Sequence, residues 1–142
     1  MSRLIDSRKR LLRVRGVQHR QAMAALTHAR DEASQIANNA QRIAKVREEL
    51  FGLPGATSGA NLASKRELAS RLERAGRQLD GALYDARLRV DQRDAERIVA
   101  DRDREIAERL KDKARAAREA RREARLAALP SYRRMQNRGP DE

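Results

Sequence analysis

The sequence has no cysteine, no tryptophan and only three aromatic residues, and these absences exclude several classes of protein. Without cysteine there is no disulfide framework, no thiolate metal cluster and no thiol chemistry. Because aromatic residues make up 2% of the chain and charged residues 38%, its 142 residues cannot fill a thick globular core. No apolar run reaches the length of a signal-peptide core or a membrane span, so we expect a cytoplasmic protein.

Helix-forming residues dominate what is present. Ala, Glu, Lys, Leu and Arg supply roughly half of the chain, a composition typical of long helices and coiled coils. Low hydrophobicity and high charge also fit a disordered chain, but disorder does not produce the helical periodicity described below. The sequence therefore predicts an all-α protein.

One interruption divides the chain near its middle. Gly52 and Pro54 form a typical helix end, because glycine adopts the left-handed cap and proline cannot continue the hydrogen-bond ladder. Ser64 and Glu67 have the spacing of a capping box, with Asn61 as an alternative cap one turn earlier. We predict a single helical hairpin with a helix over 2–51, a loop over 52–63, a helix over 64–129 and a flexible tail over 130–142.

A heptad pattern indicates that the two helices pair as an antiparallel coiled coil. Two series in the first helix each recur every seven residues and are offset by three. The first series is Ile5, Leu12, His19, Leu26, Ala33 and Ala40, and the second is Ala22, Ala29, Ile36, Ile43 and Leu50. The matching residues of the second helix are Leu72, Ala75, Leu79, Ala82 and Ala86. These residues form the predicted seam.

The register follows from matching residue sizes across this seam. Folding the chain at the loop pairs residues whose numbers sum to 115, so that large residues meet large ones and alanines meet alanines. Ile43 then faces Leu72 and Ala33 faces Ala82. Between Leu88 and Leu110 the apolar residues are separated by acids and bases, so we expect the heptad period of the seam to shift in phase there. In this register residues 114–129 overhang the first helix and have no partner.

Charge is concentrated at the two ends of the chain. Residues 1–20 carry a net charge of +6 and residues 111–138 a net charge of +7, whereas residues 21–110 carry +1. A hairpin would combine the basic ends into one basic tip.

The sequence gives no support for catalysis, since the chain has two histidines, no phosphate-binding loop and no carboxylate pair in an apolar setting. We therefore predict no enzymatic activity, no cofactor and no metal site.

Three stretches carry a resemblance to a known family: "LIDSRKRLLRVRGVQHRQA", "GLPGATSGANLA" and "ELASRLERAGRQLDGALYDAR". Together they resemble the FliJ family of flagellar type III export proteins, to which the YscO-like stalk proteins of injectisomes are related. The resemblance covers nearly the whole chain. It implies a long antiparallel two-helix coiled coil that acts as the stalk or coupling subunit of a type III protein export ATPase complex.

The resemblance also implies partners and a location. They are a hexameric export ATPase ring, the export gate membrane protein and export chaperones, at the cytoplasmic side of the membrane export apparatus. The basic residues predicted to contact the ATPase ring are Arg8, Arg13, Arg15, Arg115, Arg118, Arg121, Arg122 and Arg125. The residues predicted to contact the export gate are Leu68, Leu72, Leu83 and Tyr84.

Two other functions stay open at the level of sequence. A self-associating coiled-coil scaffold is favoured if Leu83, Tyr84 and Leu88 form an oligomer seam. A basic nucleic-acid-binding coiled coil fits the abundance of arginine. Three aromatic residues are too few for a single-strand stacking platform, and no groove-reading motif is recognisable, so nucleic acid is the weaker alternative.

Overall fold

The structure is a computed structural model, and it describes residues 2–52 and 58–129. Two long helices account for nearly all of these residues: α1 spans Ser2–Gly52 and α2 spans Gly59–Ala128. The protein is an all-α two-helix hairpin, as the sequence predicts. With 70 residues against 51, α2 is the longer helix.

The second helix begins earlier than the capping-box pattern predicts. Ser58 is its N-cap, because the Ser58 hydroxyl accepts a hydrogen bond from the backbone N–H of Asn61 at 3.3 Å. The carbonyl of Ser58 also accepts a bond from the N–H of Leu62, which is the first bond of the helical ladder. The predicted start at Ser64 is therefore wrong by five residues, since a serine closer to the glycines already satisfies the free N–H groups.

The far end of α2 agrees with the prediction to within one residue. The helix ends at Ala128, and Leu129 closes a tighter final turn by donating its N–H to the carbonyl of Leu126 at 3.2 Å. The predicted loop residues 53–57, with Pro54 among them, and the predicted tail 130–142 lie outside the described residues.

The hairpin groups into two compact units. Unit 1 joins Met1–Arg20 to Val99–Glu142, and unit 2 comprises Gln21–Ile98. Each unit contains a segment of α1 and a segment of α2, so each has its own stretch of the seam between the helices.

Unit 2 contains the regular part of the seam. The predicted heptad residues of both helices are buried or half-buried here, and Leu26, Ala29 and Ala86 are the most buried. Leucine, isoleucine and alanine share the seam, so the helices pack by apolar contact. The heptad prediction is confirmed in this unit.

Unit 1 departs from the regular pattern on the α2 side. Ile5 of α1 and Ala107 of α2 are buried, but most of the partly covered residues of α2 are charged. Asp101, Arg104 and Lys111 are half-buried, while Val99 and Ile106 are exposed. The predicted phase slip is wrong, because Ala100, Ala107 and Ala114 are covered at the seven-residue spacing that Leu72, Leu79 and Ala86 begin in unit 2. Val99 and Ile106 are exposed because they lie outside this series, while charged residues occupy part of the seam.

The register differs from the prediction by slightly more than one helical turn. The ion pairs between the helices are Arg15–Asp103 and His19–Asp101 in unit 1, and Arg47–Glu73 and Glu32–Arg89 in unit 2. The residue numbers of these pairs sum to 118–121, whereas the prediction was 115. Sliding one helix by a turn keeps the same face in the seam, so the apolar pattern alone does not fix the register.

Candidate functional site: a basic concavity in unit 1

A strongly charged concavity lies in unit 1, where both helices contribute to it. It has a volume of about 560 Å³ and is lined by Ile5, Lys9, Arg115, Arg118, Glu119 and Arg122. We call it the basic concavity. The predicted overhang of residues 114–129 is largely confirmed, because Ala114 is half-buried and residues 115–129 are all exposed. The concavity lies where this segment begins.

Helix geometry explains why these residues share one face. Ile5 and Lys9 are four residues apart on α1, which places them one above the other. The α2 residues are spaced by three, one and three positions from Arg115 to Arg122, so they also form one stripe. Ile5 is buried, and it provides the apolar part of a surface that is otherwise basic.

The electrostatics of the basic concavity favour an anionic ligand. Four bases and one acid line it, and within residues 2–52 and 58–129 none of Lys9, Arg115, Arg118 and Arg122 forms an ion pair. All four side chains are exposed, so they remain hydrated and available. Guanidinium groups bind carboxylates and phosphates through paired hydrogen bonds, which makes either group a suitable ligand.

The structure brings together three of the eight arginines predicted to contact the ATPase ring. Arg115, Arg118 and Arg122 line the basic concavity. The exposed Arg121 and Arg125 belong to the same helix but not to the lining. Lys9, which the sequence analysis did not single out, completes the cluster. The sequence feature that could have identified Lys9 is its position four residues after the seam residue Ile5.

The three predicted arginines of α1 have different environments. Arg15 donates hydrogen bonds to Gln18 at 3.0 Å and to Asp103 at 3.4 Å, so it helps to hold α1 against α2. Arg8 is half-buried at a seam position, and Arg13 is exposed. None of these three lines the basic concavity. Arg15 is therefore engaged within the hairpin.

The four residues predicted to contact the export gate do not form one compact site. Leu72 lines a smaller concavity of about 220 Å³ in unit 2 together with Ile43 and Gly76, so it belongs to the seam. Leu83 is half-buried, whereas Leu68 and Tyr84 are exposed. From Leu68 to Tyr84 the helix rises about 24 Å, so a partner would need an extended surface to touch all four.

A polar cluster lies at the seam of unit 1. His19 Nε2 is 3.4 Å from Asp101 Oδ1, and Arg104 also contacts Asp101 at 3.3 Å. His19 is therefore partnered at its seam position. Over the two described ranges, no group of three or more His, Asp or Glu side chains is arranged to hold a metal ion. The described parts of the helices also contain no stretch that is long and apolar enough to cross a membrane.

Comparison with known proteins gave no match. The comparison covered protein-family models, curated proteins and solved structures, and none of them matches this chain.

Proposed function

We propose that the protein is the stalk or coupling subunit of a type III protein export ATPase complex and binds the ATPase ring through the basic concavity. The observation that carries this proposal is the concavity itself, in which Lys9 of α1 and Arg115, Arg118 and Arg122 of α2 surround the buried Ile5. A paired-helix surface of this kind suits a site lined with carboxylates. The resemblance to the FliJ family supplies the identity of the proposed partner.

The proposed mechanism is mechanical and allosteric. Carboxylates of adjacent ring subunits would engage the basic concavity together, which favours a closed ring over separate subunits, because only the closed ring presents all of them. Unit 2, whose seam is apolar and regular, would transmit force as a paired helix. Its Leu68, Leu83 and Tyr84 are the proposed contacts with the export gate, at the cytoplasmic side of the membrane. Export chaperones are further proposed partners.

The test measures ATP hydrolysis by a purified export ATPase with and without this protein. We expect stimulation by the natural sequence, and at least a fivefold loss of that stimulation in the variant Arg115→Glu, Arg118→Glu, Arg122→Glu. The matched control is Arg66→Glu, Arg74→Glu, Arg87→Glu in unit 2, which makes the same change in net charge. These three arginines are also exposed and form no ion pair in the described part of the chain.

Two results would contradict the proposal. The first is an absence of stimulation by the natural sequence. The second is an equal loss in the unit 1 variant and the unit 2 control, since stimulation would then depend on total charge and not on the basic concavity. Circular dichroism of both variants establishes that the helices are retained.

A self-associating scaffold is the second candidate, because Tyr84 and Leu88 are exposed on the same helix. Tyr84 is 66% exposed and Leu88 is 51% exposed. They are four positions apart, so they are adjacent on the surface of α2. Sedimentation equilibrium tests this function. A dimer that becomes monomeric in the variant Tyr84→Ser, Leu88→Ser supports a scaffold, and a monomeric natural protein argues against one.

A further inference from the structure

We propose that an apolar groove on one side of unit 1 binds an acidic amphipathic helix of a partner protein, which converts the helix pair into a three-helix bundle. The proposal concerns a different face from the basic concavity and does not rest on the stalk function. The residues of the apolar groove are Leu4, Leu11 and Val14 of α1, and Val99, Ile106 and Leu110 of α2.

The α1 row of the groove consists of aliphatic side chains that the hairpin leaves uncovered. Leu4 is 50% exposed and Val14 is 52% exposed, while Leu11 is half-buried. Because each residue turns a helix by about 100°, Leu4 and Leu11 differ in direction by about 20° and Val14 lies about 60° beyond Leu11. The three side chains thus form a row along one flank of α1.

The α2 row is narrower and equally exposed. Val99 is 56% exposed, Ile106 is 54% exposed and Leu110 is half-buried. Their spacing of seven and four residues keeps all three within about 40° of one another. Seven-residue spacing is the repeat of a coiled-coil seam, so α2 presents a second seam that α1 does not cover.

The two rows lie on the same side of the helix pair. Arg15 Nη1 is 3.4 Å from Asp103 Oδ2, and this ion pair fixes one edge of the interface between the helices. On α1, Leu11 precedes Arg15 by four residues. On α2, Ile106 and Leu110 follow Asp103 by three and seven residues. Each row therefore lies on the side of its helix that carries the ion pair. The fully buried Ala107 follows Asp103 by four residues and forms part of the floor between the rows.

The dimensions of the groove match a helix. The pairs Arg15–Asp103 and His19–Asp101 place Val99 level with about residues 19–21 of α1, so the two rows are staggered and overlap where Leu11 and Val14 lie beside Ile106 and Leu110. At 1.5 Å per residue, the staggered rows together extend about 24 Å, which corresponds to about four turns of a docked helix. A helix with apolar residues at spacings i, i+3 and i+7 would meet both rows where they overlap and one row at each end.

The charge around the groove identifies the chemistry of the occupant. Its outer flanks carry Arg3 and Arg10 on α1, and Arg102, Arg109 and Lys113 on α2. None of these five bases forms an ion pair with any other described residue. Asp103, three residues before Ile106, is already paired with Arg15. A docked helix with Glu or Asp beside its apolar residues would complement these flanks.

The same charges argue against a second copy of the chain as the occupant. The sequence of unit 1 holds 20 Lys or Arg against 10 Asp or Glu, a net charge of +10. Two copies joined through this groove would bring ten unpaired bases together on its flanks. Like charges held this close oppose association, so an acidic partner is favoured.

The binding test uses three synthetic 21-residue helices as probes for the natural full-length protein. The first has leucine at the core positions of three heptads and glutamate beside them. The second replaces each glutamate by lysine, and the third keeps glutamate but replaces the core leucines by serine. We expect fluorescence anisotropy in 150 mM salt, a concentration at which exposed charges more than about 8 Å apart are screened, to show at least tenfold tighter binding of the first probe than of either other probe.

Variants then locate the bound probe. Val14→Ser with Ile106→Ser should weaken binding of the glutamate probe at least tenfold. The matched control is Val46→Ser with Phe51→Ser, which removes two similarly exposed apolar residues from unit 2 and should change the affinity less than twofold. Arg102→Glu with Arg109→Glu should shift the preference toward the lysine probe.

Each contrary outcome overturns the proposal. Equal binding of the glutamate and lysine probes would remove the charge argument, and equal binding of the leucine and serine probes would remove the apolar groove. Unchanged affinity in the unit 1 variant would place the binding elsewhere. If sedimentation shows a dimer that only Val14→Ser with Ile106→Ser dissociates, the occupant is a second copy and not an acidic helix.

Discussion

The two units of the hairpin differ in the residues that fill the seam between the helices, although both expose large apolar residues. In unit 2, leucine, isoleucine and alanine lie in the seam, and the sequence of the unit holds 13 bases against 11 acids, close to neutrality. In unit 1, the α2 side of the seam carries Asp101, Arg104 and Lys111, while Val99 and Ile106 are exposed. The seam of unit 2 is therefore apolar, whereas the seam of unit 1 is partly charged on the α2 side.

The difference also changes what holds each pair of helices together. Apolar burial dominates in unit 2, and it is nearly independent of salt. Unit 1 has fewer buried apolar residues and a net charge of +10, so its acids matter more. Asp101 and Asp103 face α1 and contact His19 and Arg15, which offsets part of the repulsion among the bases.

The largest expected effect comes from the core of unit 2. Leu26 is the largest fully buried side chain of the described residues. We expect Leu26→Ala to lower the free energy of unfolding by about 3 kcal/mol, because it removes buried methyl groups and leaves a cavity. The exposed Leu88→Ala serves as the control and should change stability by less than about 0.5 kcal/mol. Urea unfolding followed by circular dichroism measures both; similar losses would mean that the seam does not carry the stability of unit 2.

Glycines inside the helices provide a second comparison, between Gly76 of unit 2 and Gly16 of unit 1. A methyl group at Gly76 in unit 2 would lie 4.0 Å from Ile43 Cγ2, and one at Gly16 in unit 1 would meet nothing within 4 Å. Gly76→Ala and Gly16→Ala should each raise the free energy of unfolding by up to about 1 kcal/mol, because alanine favours the helix and both sites have room. A lower melting temperature in either variant would show that the site needs a glycine for another reason.

The smallest expected effect concerns the acids of the two units. Asp101→Asn in unit 1 removes the partner of His19 and Arg104, and Glu73→Gln in unit 2 removes the partner of Arg47. We expect each change to cost less than about 1 kcal/mol, because the pairs are partly exposed. The loss should be larger in unit 1 at low salt, and the difference should disappear at about 1 M salt, where the Debye length is roughly 3 Å. Equal losses at low salt would remove the electrostatic distinction between the units.

The fold was predictable because its determinants are local and periodic. Composition and heptad spacing predict two long helices, and the seam residues of unit 2 agree with the structure. The start of α2 was not predictable from the capping box, because Ser58 and Ser64 are both acceptable caps and the pattern does not rank them. The register was predicted wrongly for a related reason, since sliding one helix by one turn keeps the same apolar face in the seam. Long-range polar pairs such as Arg47–Glu73 distinguish the registers, and they are invisible in the sequence.

The candidate site was predictable in part. The density of arginine near the end of α2 pointed to Arg115, Arg118 and Arg122. Lys9 was missed because it is one of many bases near the start of the chain, and only the pairing of the helices shows which of them lines the same concavity as Arg115. The apolar groove was missed for a different reason. Val99 and Ile106 have seam spacing, so the sequence alone does not show that the structure leaves them exposed.

The antiparallel pairing also has a consequence for the order in which contacts form during folding. The ion pairs between the helices join residues 26 apart at Arg47–Glu73, 57 apart at Glu32–Arg89 and 88 apart at Arg15–Asp103. The entropic cost of closing a loop rises with its length, and short closures are faster than long ones. We therefore expect the helices to pair first beside the loop and then to close progressively toward the termini, so that unit 1 would be the last part to form and the first to open.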